Sequence, residues 1–344
     1  MTSTDTLDTR IRLGSPGDLL SAVPYLLGYR PIDSLVLVGL HDRTVAVTAR
    51  LALPPPHEPA DGIAEAAQAL LHNDTDATVV VGYGPAVRVT RCIDAVIPLL
   101  RHHGLELVDA LRVTDGRYWS YLCDDLDCCP MDGTAVPGPD SPVDAAFVAG
   151  GMTTAPRRQD RVDLPWQPVT GEARRIARRT ARRLRRVLDD TDTLLSPLLM
   201  LGTQAIAMLD AADPNASLPT PEKTVRLAIA LEQDTVRHRA AAWVDTVDPR
   251  QAVRWWLWVT RHSDPPYRAE PAALLGYAAW RSGDGVIAES AVRMALSDDP
   301  TCRLAVELRP LLAAGVTRRG LPELVSQSLL DGSVRLGRED PVKT

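Results

Sequence analysis

The sequence contains few aromatic residues and almost no lysine. Phe, Trp and Tyr make up 4% of the 344 residues, and Phe147 is the only phenylalanine. Hydrophobic cores must therefore be built from Leu, Val, Ile and Ala, which agrees with a hydrophobic content of 45%. Lys223 and Lys343 are the only lysines, so arginine supplies most of the positive charge. A GC-rich genome favours Arg, Ala and Pro, and their abundance alone indicates no function.

Long apolar runs and a leader pattern are also absent. No run approaches the ~18 apolar residues that a membrane helix needs. The N-terminal MTSTDTLDTR lacks a basic region followed by an apolar one, so we expect a cytoplasmic protein without a membrane span. A net charge of −6 argues against a surface wholly devoted to nucleic acid. Five cysteines, an odd number, indicate thiols or ligands rather than a disulfide framework.

Signatures of common catalytic sites are missing as well. The sequence has no Gly-x-Ser-x-Gly nucleophile elbow, no His-Glu-x-x-His motif and no EF-hand loop. His102 and His103 would join a hydrolase site only if the fold brought carboxylates beside them. Asp125 and Asp127 could hold a divalent cation, although such pairs also occur in ordinary turns. These absences favour a non-enzymatic protein and leave an enzyme as the alternative.

The N-terminal part alternates helix and strand patterns. Ser15 and Pro16 predict a helix start, and the following leucines share one helical face. Residues 35–40 and 45–53 predict a β-hairpin. Further helices are predicted over 61–72, 87–103 and 143–149, and further strands over 77–81, 105–113 and 116–122. We therefore expect an α/β domain with a mixed sheet, hairpins and flanking helices.

From Gly171 onward the sequence predicts helices alone. They cover residues 172–188, 195–211, 221–244, 251–261, 271–282, 285–297 and 301–314. The chain is thus divided into an α/β domain (10–150), a connector (151–169), a helical-bundle domain (170–330) and a tail (331–344). Residues 271–314 resemble one tetratricopeptide-type helix pair. Arrays of this kind need at least ~3 repeats, so packing alone is the favoured interpretation of this pair.

Three stretches resemble the domain-of-unknown-function family 4192, found chiefly in high-GC Gram-positive bacteria. They are PYLLGYRPIDSLVLVGL with the strand after it, Trp119-Ser-Tyr-Leu-Cys123 with Cys128-Cys129-Pro130-Met-Asp-Gly133, and AAWRSGDGVIAESAVRMAL. Together they span most of the chain. The resemblance implies no activity, so function must be sought in individual sites.

The sharpest candidate site is a cysteine loop, residues 123–133. Cys123, Cys128 and Cys129 could ligate zinc or iron, although their spacing differs from paired C-x-x-C modules. Because adjacent cysteines rarely share one tetrahedral ion, we expect Cys123 to act with only one of the pair. A fourth ligand would come from elsewhere, for instance His102 or His103.

Three other interpretations of the cysteine loop stay open. Cys123 could form a redox pair with Cys128 or Cys129, or the thiols could be buried and inert. A catalytic thiol is disfavoured, because four nearby carboxylates would raise the pKa of a cysteine. These carboxylates belong to Asp124, Asp125, Asp127 and Asp132.

A weaker candidate is the Gly82–Pro85 loop, GYGP, between a predicted strand and helix. Backbone amides at such a place can cradle a phosphate, so Gly82 and Gly84 are candidate cofactor-binding residues. Val87 stands where the dinucleotide fingerprint needs its third glycine, and a P-loop Lys-Ser/Thr pair is lacking. A tight strand-to-helix turn is the favoured alternative.

The predicted helix 172–188 carries eight arginines. Arg174, Arg178, Arg182 and Arg186 run along one face, where they could bind a protein or another acidic partner. Anionic lipid and nucleic acid are further alternatives; nucleic acid is not favoured, since no aromatic residues interleave the arginines. The bland alternative is a solvated helix whose arginines pair with acidic neighbours.

Tryptophan is concentrated in the helical region. Trp255 and Trp258 share a helical face with core spacing, as is usual for buried tryptophan. Trp256 points elsewhere and could anchor an interface, although core packing is favoured for it too.

We rank first a non-enzymatic cytoplasmic regulatory or adaptor protein that binds a partner through its helical domain. The alternative is an α/β enzyme or a metal or redox sensor, with a site formed by the Gly82–Pro85 and Cys123–Asp132 loops. The sequence leaves the oligomeric state undetermined.

Overall fold

A computed structural model describes residues 11–55, 58, 62–189, 195–213 and 217–317. The chain forms two compact units that divide between Arg161 and Val162. The first is a mixed sheet with flanking helices and the second is helical, which confirms the predicted fold class. The predicted tail, 331–344, lies outside the described residues. Within those residues, we find no helix with the length and apolar character to cross a membrane.

The N-terminal unit is built on one six-stranded sheet. Its helices are α1 (Pro16–Leu27), α2 (Ile63–Leu71), α3 (Ala86–His102), α4 (Pro142–Ala149) and α5 (Arg158–Val162), the last of which ends at the division. Its strands are β1 (Ser34–His41), β2 (Thr44–Ala52), β3 (Ala77–Tyr83), β4 (Glu106–Thr114), β5 (Arg117–Ser120) and β6 (Thr134–Ala135). The spatial order is β2-β1-β3-β4-β5-β6. Only β3 and β4 pair in parallel, through α3, and the other neighbours are antiparallel.

Local signals explain where α1 begins and ends. The Ser15 side chain accepts a hydrogen bond from the backbone N–H of Asp18 at 3.1 Å, and Pro16 occupies the first turn. Gly28 ends the helix in the left-handed region, with φ of 76°. The apolar run that follows becomes β1, which is buried on both faces from Ser34 to Gly39. This strand is therefore an interior strand of the sheet, paired with β2 on one edge and with β3 on the other.

The core of the N-terminal unit joins the sheet to α2 and α3. Its members are aliphatic residues of β1, β3 and β4 and the inward faces of the two helices. Among them are Leu35, Leu37, Val80, Val89 and Ile93, each at most 1% exposed. A smaller cluster joins α1 and α4, where the rings of Tyr25 and Phe147 stack at 4.7 Å. The single phenylalanine therefore serves this second cluster.

The second unit consists of helices. After a 3₁₀ turn (Leu164–Trp166), they are α6 (Gly171–Asp189), α7 (Leu195–Asp210), α8 (Pro221–Ala230), α9 (Asp234–Thr246), α10 (Pro249–His262), α11 (Ala269–Ser282), α12 (Gly285–Asp298) and α13 (Arg303–Ala313). One continuous hydrophobic core links them. Small residues, above all alanines of α11 and α12, allow these helices to pack closely.

The predicted helix over 221–244 is two helices, α8 and α9. The break is stabilised by side chains that bond the backbone there. Arg237 donates from Nη1 to the carbonyls of Leu231 and Glu232, at 2.9 and 3.0 Å. Gln233 donates from Nε2 to a carbonyl of α7 at 2.9 Å. Because neither Pro nor Gly marks the break, helical periodicity alone does not reveal it.

Helices α11 and α12 pack against each other as a helical hairpin, and the turn between them begins at Gly283, whose φ is 80°. A tetratricopeptide identity for this pair stays a prediction. Trp256 is fully buried in the same unit, beside Trp243, so the alternative of an interface anchor at Trp256 is wrong. Trp258 is half-buried, and its indole N–H donates to the carbonyl of Pro219.

Candidate functional site

The cysteine loop begins where β5 ends. The hydroxyl of Ser120 donates to Asp109 Oδ1 at 2.7 Å, which ties the end of β5 to β4. Ser120 Oγ in turn accepts hydrogen bonds from the backbone N–H groups of Leu122 and Cys123, at 3.1 and 3.2 Å. This side-chain turn sets the direction in which the chain leaves the sheet. It therefore positions Cys123 at the start of the loop.

A second turn is centred on Asp125. Its Oδ1 accepts from the backbone N–H of Asp127 at 2.9 Å, and its carbonyl accepts from the backbone N–H of Cys129 at 2.7 Å. The carboxylate thus makes an ordinary Asx-type turn. The turn folds the chain back, so that the adjacent cysteines approach Cys123.

Side chains of β5 hold the far end of the loop. Arg117 donates from Nε to the carbonyl of Asp132 at 2.6 Å and from Nη2 to that of Gly133 at 2.8 Å. The indole N–H of Trp119 donates to the carbonyl of Met131 at 2.9 Å. Gly133 has φ of 76°, and a Cβ there would lie 2.5 Å from the Trp119 ring. The supporting roles of Arg117 and Trp119 are not predictable from the sequence, since both side chains bond the backbone of the loop and form no motif.

The structure brings all three sulfurs together. The Sγ atoms of Cys123, Cys128 and Cys129 lie within 4.8 Å of one another, close enough to hold a metal ion. Both adjacent cysteines take part, so the expectation that only one of them could converge with Cys123 is wrong. Within the described ranges this is the one such group, and it includes neither His102 nor His103. Cys128 is exposed and the other two thiols are half-buried, so the cluster lies near the surface.

The electrostatics of the cluster oppose a reactive thiolate. Hydrogen bonding with Cys123, then burial and the hydrogen bond with Cys128, raise the pKa of Cys129 to about 12. Burial is also the main reason that the pKa of Tyr118 is raised, and the sulfurs of Cys129 and Cys128 add to it. A thiol held protonated at neutral pH is a poor nucleophile.

The loop and the β1–β2 hairpin contain two of the stretches that carry the family resemblance. A family model described as Domain of unknown function (DUF4192) matches residues 16–318. The chain belongs to this family. The match runs from the first residue of α1 to just past α13, so DUF4192 includes both units. Neither the curated proteins nor the solved structures compared with the chain include a match.

In this DUF4192 protein Gly82 and Tyr83 are the last two residues of β3, so the connection to α3 consists of Gly84 and Pro85 and is shorter than the predicted Gly82–Pro85 loop. A Cβ on Gly82 would lie 2.2 Å from Val89 Cγ1, and one on Gly84 would lie 2.9 Å from Leu53 Cδ1. Arg88, in the first turn of α3, donates from Nη1 to Asp33 Oδ1 at 2.6 Å. Close packing therefore gives a structural reason for both glycines, and a cofactor-binding role for them stays a prediction.

The two loops of the predicted composite site start from different positions of the sheet. The N–H of Gly84 donates to the carbonyl of Val113, and β5 begins beside that end of β4. The cysteine loop leaves from the other end, after Ser120, which pairs with Leu111. A composite site formed by the two loops stays a prediction.

The predicted binding residues of α6 differ in their surroundings, since two of them pair with a carboxylate and the other two pair with none among the described residues. Arg174 and Arg178 form ion pairs with Asp264, at 3.7 and 2.8 Å. Arg182 donates from Nε to the carbonyl of Arg178 at 3.3 Å. Arg186 is exposed and makes no hydrogen bond or ion pair with the part of the chain that the structure describes. The first half of this row is thus partly neutralised by Asp264, whereas Arg182 and Arg186 in the second half form no ion pair with the described residues.

Proposed function

We propose that this DUF4192 protein is a non-enzymatic, cytoplasmic regulatory protein whose cysteine loop binds one zinc ion. The observation that carries the proposal is the convergence of three sulfurs within 4.8 Å. Thiolates are soft ligands, and zinc is the metal that such sets most often hold, with iron as the alternative. The reducing cytoplasm would keep the three cysteines available as ligands.

The distances support a tetrahedral ion. Zn–S bonds of about 2.3 Å place the sulfurs of one tetrahedral site roughly 3.7 Å apart. Cys128 Sγ and Cys129 Sγ are already 4.0 Å apart. Exposure of Cys128 would leave the fourth position to water or to a group from a partner. The carboxylates of the loop favour a dication nearby, although they disfavour free thiolates.

Single substitutions test the metal site. We expect the wild-type chain to hold one zinc per chain, and Cys123→Ser, Cys128→Ser and Cys129→Ser each to bind zinc at least ten times more weakly. The reason is that each removes one of three ligands. Zinc content by elemental analysis and competition against a chromophoric chelator measure this. Cobalt substitution adds a thiolate charge-transfer band whose intensity follows the number of sulfur ligands.

Cys92→Ala is the matched control, since Cys92 is buried in α3 and belongs to the core. This variant should bind zinc like the wild type. Equal zinc affinity of Cys128→Ser and the wild-type chain would contradict the proposal. If the chain holds no metal and only three of its five cysteines titrate as free thiols, two cysteines form a redox pair and the loop is not a metal site.

Arg182 and Arg186, the second half of the arginine row on α6, support a second candidate function, which is contact with an acidic protein partner. Arg182 and Arg186 are exposed, whereas Asp264 already neutralises part of the first half. We expect an immobilised acidic peptide to capture the wild-type chain, and Arg182→Ser/Arg186→Ser to lose most of that capture at low salt. Unchanged capture would exclude this face. Arg174→Ser/Arg178→Ser should retain more binding, because its arginines face Asp264.

A further inference from the structure

A cavity opens within the helical unit between α6, α8 and the segment after α10. Its volume is about 350 Å³, which lies in the range of pockets for small molecules. Its lining includes apolar residues, Ala181, Val225 and Ala228 among them. It also includes charged and polar groups. Such a combination orients a ligand that has one apolar and one charged end.

Arginines predominate among the charged groups of the cavity. Its lining contains one carboxylate, that of Asp264, and three arginines, Arg178, Arg182 and Arg185. Asp189 and Glu232 also act electrostatically on Arg185. Asp264 accepts from Arg178 Nε at 2.8 Å, and Arg185 donates to the hydroxyl of Tyr267 at 3.3 Å. Arg182 uses only its Nε, so its terminal nitrogens have no protein acceptor among the described residues. A planar guanidinium in this state suits a bidentate anion.

His262 gives an independent sign of a missing ligand. Its side chain lines the cavity and only 4% of the residue is exposed. Nδ1 donates to the carbonyl of Trp258 at 2.8 Å, so in the neutral ring Nε2 is an acceptor. Burial lowers the pKa of His262 below its usual value, which keeps the ring neutral at pH 7. Nε2 is buried and has no hydrogen-bond partner among the described residues.

A buried acceptor of this kind is normally satisfied, because leaving it unsatisfied costs free energy. A hydroxyl or acidic proton of a ligand would donate the missing hydrogen bond to His262 Nε2. The ligand must therefore combine three features: an anionic head for the arginines, a donor for His262, and an apolar part.

We propose that the cavity binds a small phosphate monoester. Its phosphate would lie against Arg182 and Arg185, and its apolar part against Ala181 and Val225. A phosphate monoester carries up to two negative charges and three acceptor oxygens, so it can contact both Arg182 and Arg185, which suits it better than a single carboxylate. His262 would accept a hydrogen bond from a hydroxyl or from a protonated phosphate oxygen. This site is separate from the cysteine loop and does not depend on the metal proposal.

Phenyl phosphate is the probe, because it joins a phosphate monoester to an apolar ring of small size. We expect calorimetry to detect its binding to the wild-type chain, and Arg182→Gln to weaken that binding at least tenfold. Arg179→Gln is the matched control, because Arg179 is likewise an exposed arginine of α6 but lies outside the cavity. It should change the affinity less than twofold. Inorganic phosphate should bind more weakly than phenyl phosphate, since it lacks the apolar part.

Nuclear magnetic resonance supplies a second readout. The His262 ring signals, assigned by their loss in His262→Gln, should shift when phenyl phosphate is added. No binding at millimolar concentration, or a bound probe that leaves these signals unmoved, would overturn the proposal. Equal weakening by Arg179→Gln and Arg182→Gln would also overturn it, because the helix would then attract anions by its general charge.

Discussion

Replacing Gly82 with Ala is expected to lower the free energy of unfolding of the N-terminal unit by about 3 kcal/mol, the upper end for overpacking a core. A Cβ on Gly82 would lie 2.2 Å from Val89 Cγ1, and Val89 is fully buried in α3. The strand cannot move aside easily, because β3 is paired on both edges, with Leu35 and with Arg112 opposite Gly82. The valine has no flexible side-chain end that could yield.

Urea unfolding followed by circular dichroism measures this effect, and hydrogen exchange of peptides from β3 and α3 assigns it to the N-terminal unit. Gly138→Ala is the control, since nothing lies within 4 Å of a Cβ there. It should change the unfolding free energy by less than ~0.5 kcal/mol. Val89→Ala should partly rescue Gly82→Ala, because it removes both methyl groups that would clash. The double variant should be more stable than the two single losses imply by at least about 1 kcal/mol.

The outcome bears on function as well as on stability. Gly82 was a candidate phosphate-binding residue because it precedes a helix, which is where glycine lets a backbone approach a ligand. The structure offers a different reason, since the glycine lets α3 approach β3. If Gly82→Ala is as stable as the wild type, close packing is not what requires glycine, and a ligand role regains support.

The sequence predicted the succession of helices and strands well, because apolar periodicity and capping residues are local signals. Ser15 with Pro16 and the left-handed Gly28 bound α1 for reasons that lie within a few residues. The break between α8 and α9 was missed, since the groups that stabilise it act through tertiary hydrogen bonds. Gln233 bonds a carbonyl of α7, and no local pattern announces that.

The candidate sites also differ in how far the sequence could predict them. The three cysteines of the loop lie within seven residues of sequence, so the sequence could nominate them, but their convergence depends on the turn at Asp125. The cavity beside α6 could not be predicted from the sequence, because Arg182 and His262, which both line it, are far apart in sequence. His262 belongs to no motif, and its unsatisfied Nε2 follows from burial alone. Sequence patterns find groups of neighbouring residues, whereas such a pocket requires long-range packing.

A second large loss of stability is expected in the helical unit when Asp245 is replaced by Ala. The Arg281 side chain is only 4% exposed, and its Nε lies 3.3 Å from Asp245 Oδ1. The same carboxylate oxygen accepts a hydrogen bond from the hydroxyl of Tyr277 at 2.6 Å. Removing the carboxylate leaves the buried guanidinium without this counter-charge. The expected loss is about 3 kcal/mol, typical of breaking a buried ion pair on one side.

The pair between Arg239 and Asp210 provides the matched control. It has the same chemistry, but both of its side chains are 46% exposed. Solvent screens such a pair, so Asp210→Ala should change the unfolding free energy by at most about 0.5 kcal/mol. Tryptophan fluorescence during urea unfolding reports the helical unit, because every tryptophan except Trp119 lies there.

A double variant separates lost charge compensation from lost packing. Changing Arg281 to Met in the Asp245→Ala background removes the guanidinium charge that faced Asp245 while keeping most of the buried volume, so part of the stability should return. If the double variant is less stable than Asp245→Ala, the contacts of Arg281 with the carbonyls of Val244 and Asp245 matter more than the ion pair. In that case the guanidinium would hold the end of α9 against α11 mainly as a hydrogen-bond donor. Equal stability of Asp245→Ala and Asp210→Ala would contradict both explanations, since burial would then have no effect on either pair.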